Sequence, residues 1–132
     1  MVGNDVQEGV LSQLGQYTTS GSGGVARWYE VAGNVVSLLP NSGYILNNAG
    51  LTTATLPFWC SAGQVIRIVG NGGLFIVDQN AGQSIKFGNI STTNGVLGSI
   101  ASTQQYDVLE ILCTVSDTTF VVLNSVGNFV LS

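Results

Sequence analysis

Past residue 24, apolar residues come in short runs, and the breaks between them carry Gly, Asn, Ser and Pro. Runs at 25–32, 35–39, 43–47, 51–56, 64–69, 74–78 and 84–87 are rich in Val, Ile, Thr, Leu and aromatic residues, side chains that suit a pleated, half-buried strand. Turn signals fall at Gly33-Asn34, 40–43, 47–50, 61–63 and 71–73. Two longer runs, 106–115 and 118–123, are split by Ser116-Asp117, and a last run at 128–131 follows the turn at 125–127. The first two of these predict a hairpin. About nine or ten strands at short, regular spacing predict an all-β fold, a jelly-roll-like β-sandwich. No fixed-period repeat runs through the chain, which argues against a propeller or solenoid.

The two faces of the longest strands sharpen this picture. Ile66 and Ile68 share one face of 64–69, and Val65, Arg67 and Val69 share the other. In 108–115, Leu109, Ile111, Cys113 and Val115 oppose Val108, Glu110, Leu112 and Thr114. Both strands are apolar on two sides, apart from one charge each. A strand in a sandwich buries only one face in its own core, so the second face predicts cover by a neighbouring subunit. Val65, Arg67, Val69, Glu110 and Leu112 are the candidate interface residues. Arg67 and Glu110 are expected to satisfy each other or a ligand, because charges removed from water require partners.

Helical spacing occurs in one place. Val6, Val10, Leu11 and Leu14 form a single stripe within residues 4–15, with Asn4 or Asp5 placed to cap it, Glu8 in its first turn and Gly15 at its end. Gly9 weakens such a helix by roughly 1 kcal/mol relative to Ala, and so short a helix is marginal alone. Three copies packed together would sustain it as the last turns of a coiled-coil stalk. The SGSGG stretch at 20–24 reads as a flexible joint. The chain therefore divides into a stalk segment, 1–19, and a sandwich, 20–132.

Composition points the same way. Of the 132 residues 45% are hydrophobic and only 8% charged, against a usual charged share of about 25%. Mean hydropathy is +0.39, yet no run reaches the roughly 18 apolar residues of a membrane helix. Interfaces of obligate oligomers have this charge-poor character. The net charge of −4, with Arg27, Arg67 and Lys86 as the only cations, excludes a basic nucleic-acid face. Residues 1–17 lack the positive and apolar regions of a secretory signal. Synthesis in a cytoplasm, or expression as a piece of a longer protein, is expected. Cys60 and Cys113 each sit in an apolar, strand-like setting and are read as buried free thiols.

The residues for catalysis are sparse. The absence of histidine removes the commonest general base and the Ser-His and Cys-His pairs. Zinc-binding clusters, calcium loops and phosphate-binding motifs are lacking. A glycosidase needs two facing carboxylates; Asp78 with Asp107 or Glu110 could meet in three dimensions, but nothing local in the sequence indicates it. No enzymatic activity, metal or cofactor is expected. For binding, Arg27, Arg67 and Lys86 are the candidate partners of a small anionic ligand such as a carboxylate or charged sugar. Trp28, Tyr29, Tyr44, Phe58, Trp59 and Tyr106 are the aromatics able to meet a sugar or protein.

The segments Thr55-Leu56-Pro57, Gly63-Gln64-Val65-Ile66-Arg67-Ile68-Val69-Gly70, Asn80-Ala81-Gly82-Gln83-Ser84-Ile85-Lys86-Phe87-Gly88-Asn89, 92–98, Tyr106-Asp107-Val108-Leu109-Glu110-Ile111-Leu112-Cys113 and 124–128 together resemble the tips of bacteriophage tail needles and tail fibres. The resemblance covers residues 51–132. It implies a homotrimeric knob of the tumour necrosis factor-like or fibre-knob type, carried in the virion and made in the host cytoplasm. Its expected partners are a host cell-surface glycan or another envelope component. Residues 6–14 are similar to the end of a trimeric stalk. Two rival readings stand beside it: a secreted, monomeric carbohydrate-binding module, and a small glycan hydrolase whose carboxylates meet between subunits.

Overall fold

Short segments that turn one apolar side inward pack best as two stacked sheets, and the chain folds this way. The structure, a computed structural model, describes residues 25–132. The expected helix at 4–15 with its stripe of Val6, Val10, Leu11 and Leu14, and the joint at 20–24, lie outside the described residues. Twelve strands follow: β1 (Arg27–Val31), β2 (Val35–Ser37), β3 (Ser42–Leu46), β4 (Thr52–Thr55), β5 (Val65–Val69), β6 (Phe75–Asp78), β7 (Ser84–Phe87), β8 (Ile90–Ser91), β9 (Ser99–Ser102), β10 (Val108–Val115), β11 (Thr119–Val126) and β12 (Phe129–Leu131). One sheet has seven strands in the order β1-β3-β5-β10-β11-β7-β8, and the other has five in the order β12-β9-β6-β4-β2.

The all-β sandwich is as expected, but its winding differs from a jelly roll. Jelly rolls are antiparallel. Here β1–β3, β3–β5, β2–β4, β4–β6 and β11–β7 are parallel pairs. From β1 to β6 the chain changes sheet after every strand, so it descends as successive turns of a two-sided coil. The turns are unequal: Ser42 pairs with Arg27, 15 residues before it, and with Ile66, 24 residues after it. Coils of unequal length leave no period in the sequence. The second half is closed by antiparallel pairs, β5–β10–β11 on one sheet and β6–β9–β12 on the other.

Phe75, Phe120, Leu46, Ile66, Ile68, Ile85, Ile100, Leu109 and Ile111 are fully buried between the sheets, each contributing about 1.5–3 kcal/mol of transfer free energy. Strand directions give the sandwich two distinct ends. The base holds residue 25 and the turns at 38–41, 56–64, 79–83 and 116–118. Ala26 N donates to Asn41 O and Gly63 N to Cys113 O there. The opposite end holds the turns at 47–51, 70–74 and 103–107, joined by Gly72 N to Leu46 O and Tyr106 N to Gly70 O.

Candidate functional site

The outward face of the seven-stranded sheet is built by pairing register. Val65 stands opposite Leu112 and Leu112 opposite Val121. A second row runs Trp28, Gly43, Arg67, Glu110 and Asn124 across five strands. A third runs Ile45, Val69, Val108 and Val126. Gly43 is required in the second row because the Trp28 ring lies over it: a Cβ there would sit 2.5 Å from the ring. All five candidate interface residues, Val65, Arg67, Val69, Glu110 and Leu112, fall on this face. Trp28, Leu123 and Val126 add exposed apolar surface.

The charges in this face are closed on each other. Arg67 Nε lies 2.5 Å from Glu110 Oε2, and Asn124 Nδ2 donates to Glu110 Oε1 at 2.7 Å. The amide donated by Asn124 holds the Glu110 carboxyl below its ordinary range, and Arg67 adds to this while burial works against it. Side-chain exposure is 11% for Glu110 and 36% for Arg67, so the carboxylate is enclosed and the guanidinium still reaches outward. Sequence reasoning found Arg67 and Glu110 but missed Asn124. A β-bulge between Glu110 and Ile111 in the β10–β11 register inserts Leu123 and turns Asn124 to the outer face. Strict alternation from the buried Phe120 would have turned it inward.

The other two cations do not join this cluster. Arg27 Cζ stands 4.9 Å from the centroid of the Tyr29 ring, a cation–π contact, and Tyr29 stacks on Tyr44. Lys86 Nζ donates to Ser91 Oγ at 3.2 Å. Arg27 on β1 and Lys86 on β7 are five strand positions apart, about 24 Å at the usual strand spacing. One small anion cannot meet Arg27, Arg67 and Lys86 of a single chain.

The carboxylates proposed for hydrolysis are likewise separated. Asp107 Oδ2 accepts from Thr103 N at 3.0 Å and Gln104 N at 3.1 Å, and so shapes its own turn. Asp78 ends β6 at the base of the sandwich, away from Asp107. Among the described residues, no three His, Cys, Asp or Glu side chains group as metal ligands. Cys60 and Cys113 are free and buried, with the Cys113 thiol donating to Cys60 O at 3.2 Å. Burial first, then the neighbouring Cys113, pushes the Cys60 thiol up to about 12.

The chain matches no protein-family model, and no curated protein is similar enough to count as a relative. No helix among the described residues is long and apolar enough to cross a membrane.

The remaining aromatics divide by exposure. Tyr44 is buried, while Phe58, Trp59 and Tyr106 are exposed, Trp59 at 79%. The Phe58–Trp59 turn is pinned at the base: Gln83 Nε2 donates to Pro57 O at 2.8 Å, and Cys60 N donates to Asp117 Oδ1 at 2.7 Å. Tyr106 lies at the opposite end.

Proposed function

We propose that this chain is a non-enzymatic virion component, the knob at the tip of a phage tail needle or fibre. It assembles as a homotrimer and contacts or penetrates the host envelope during attachment and genome delivery. The class comes from the resemblance carried by residues 51–132, and one observation supports it. The outward face of the seven-stranded sheet sets Val65, Val69, Val108, Leu112 and Val121 around the closed Arg67–Glu110–Asn124 cluster. An apolar surface with an internally satisfied charge pair has the character of an obligate interface. Arg67 spends only Nε on Glu110 among the described residues, which leaves its other guanidinium donors for a neighbouring copy.

A small anionic ligand would bind between subunits, where cations of different copies converge, because those of one chain are too far apart. Virions carrying and lacking residues 20–132 should differ in adsorption to host cells, and the purified chain should compete for the same cells. Equal adsorption by both virions would overturn an attachment role.

A further inference from the structure

We infer that the end of the sandwich away from residue 25 is a binding site for a neutral sugar, formed by Tyr106, Asn47, Asn71 and Gln105 within one chain. The turns at 47–51, 70–74 and 103–107 are locked together there. A Cβ on Gly72 would lie 2.2 Å from Asn47 O, and one on Gly73 would lie 2.5 Å from Ala49 O. Only glycine lets the first two turns meet backbone to backbone. Asn71 Nδ2 donates to Asn47 Oδ1 at 2.7 Å, and Gln105 Nε2 donates to Asn71 O at 2.9 Å. The third turn is fixed from beneath by the buried Asp107 carboxylate on Thr103 N and Gln104 N, and by Tyr106 N on Gly70 O at 2.7 Å.

Tyr106 is held on this platform at φ 73°, the left-handed region that a bulky side chain rarely adopts, and it is 62% exposed. Burial therefore does not explain an aromatic at this position. Strained residues persist where their surroundings over-determine them, and they gather at ligand sites. The Asn47–Asn71 amide pair spends one donor and one acceptor on itself and keeps one amide donor group and one acceptor oxygen for a ligand. Sugar rings ask for this combination, an aromatic surface for C–H groups beside fixed donors and acceptors for hydroxyls. The ligand is neutral because the cations are elsewhere: Arg27 on Tyr29, Arg67 on Glu110 and Lys86 on Ser91. The Phe58–Trp59 turn is the weaker candidate, since Gln83 beside it spends its amide donor on Pro57 O and Asp117 O and its amide oxygen on Asn80 N.

The choice of a sugar rests on the reading of the chain as an envelope-contacting tip, but the site needs no second subunit. Titrating the uniformly 15N-labelled chain with N-acetylglucosamine, galactose and glucuronic acid tests it by amide shift mapping. At least one neutral sugar should give saturable shifts confined to residues 47–51, 70–74 and 103–107, with glucuronic acid weaker. Tyr106→Asn, which suits the left-handed backbone, should fold fully and bind about tenfold more weakly, while Tyr106→Phe binds nearly as wild type. No shifts with any of the three, shifts centred on Trp59 or Arg67, or binding of glucuronic acid alone would overturn the site. A stable trimer without these shifts would overturn this inference and leave the knob intact. A monomer that shows them would overturn the trimer and leave the site standing.

Discussion

At the scale of single residues, Glu110 and Tyr106 carry the clearest consequences. Asn124 and Arg67 lower the proton affinity of Glu110 in the folded chain. A depressed carboxyl contributes stability that is present above its ordinary value of 4.5 and is lost as pH falls through the lower folded value. Urea midpoints measured from pH 6 downward should therefore drop below about pH 4.5, and Glu110→Gln should flatten that drop. An unchanged acid slope in the variant would remove Glu110 from the account. For Tyr106, a left-handed backbone costs a non-glycine residue about 1 kcal/mol or more. Tyr106→Gly should accordingly raise or hold stability in thermal melts. A loss above 1 kcal/mol would show that the ring packs for stability.

At the scale of elements, alternation was legible and strand direction was not. The inward faces of β5 and β10 follow from the positions of Ile66, Ile68, Leu109 and Ile111 alone, because period two marks the buried side whatever the neighbour's direction. The same feature hides the parallel coil of β1 to β6, and unequal turns erase any repeat. β8 and β9 were lost in the glycine- and threonine-rich stretch at 88–103. They contribute few large apolar residues, and polar bonds hold this stretch in place. Gln79 Nε2 donates to Gln83 O at 2.6 Å, Thr93 O at 2.9 Å and Gly95 O at 3.0 Å, while its oxygen accepts from Thr92 Oγ1. An isolated Gln carries no sequence signal for such a role. Gln83 O and Gly95 O keep backbone donors from Gly95 N and Gly98 N, but Gln79→Ala takes the donor from Thr93 O and the acceptor from the buried Thr92 Oγ1 and should cost about 2 kcal/mol. Hydrogen exchange should quicken first at 92–98, and a uniform quickening across all strands would contradict this role.

Of the candidate site, the sequence revealed the doubly apolar strands and the Arg67–Glu110 pair, since both follow from face assignment. Asn124 was hidden by the bulge. The Asn47–Asn71–Tyr106 cluster was hidden because it joins three turns far apart in the chain. The three cations looked like one ligand set only because they are scarce. Register shows them spread across the sheet.

At the scale of the molecule, a charge-poor chain with an apolar outer sheet face calls for cover, which a second and third copy would provide in the proposed trimer. Sedimentation equilibrium of the chain at low micromolar concentration, with Arg67→Glu alongside, tests this most directly. Three chains of 13.7 kDa in one stable particle are the expected result. The variant should dissociate, because a second acid then faces Glu110 across the β5–β10 register. A wild-type chain that sediments as a monomer at every concentration would contradict the trimer and leave the outer face of the seven-stranded sheet open to water.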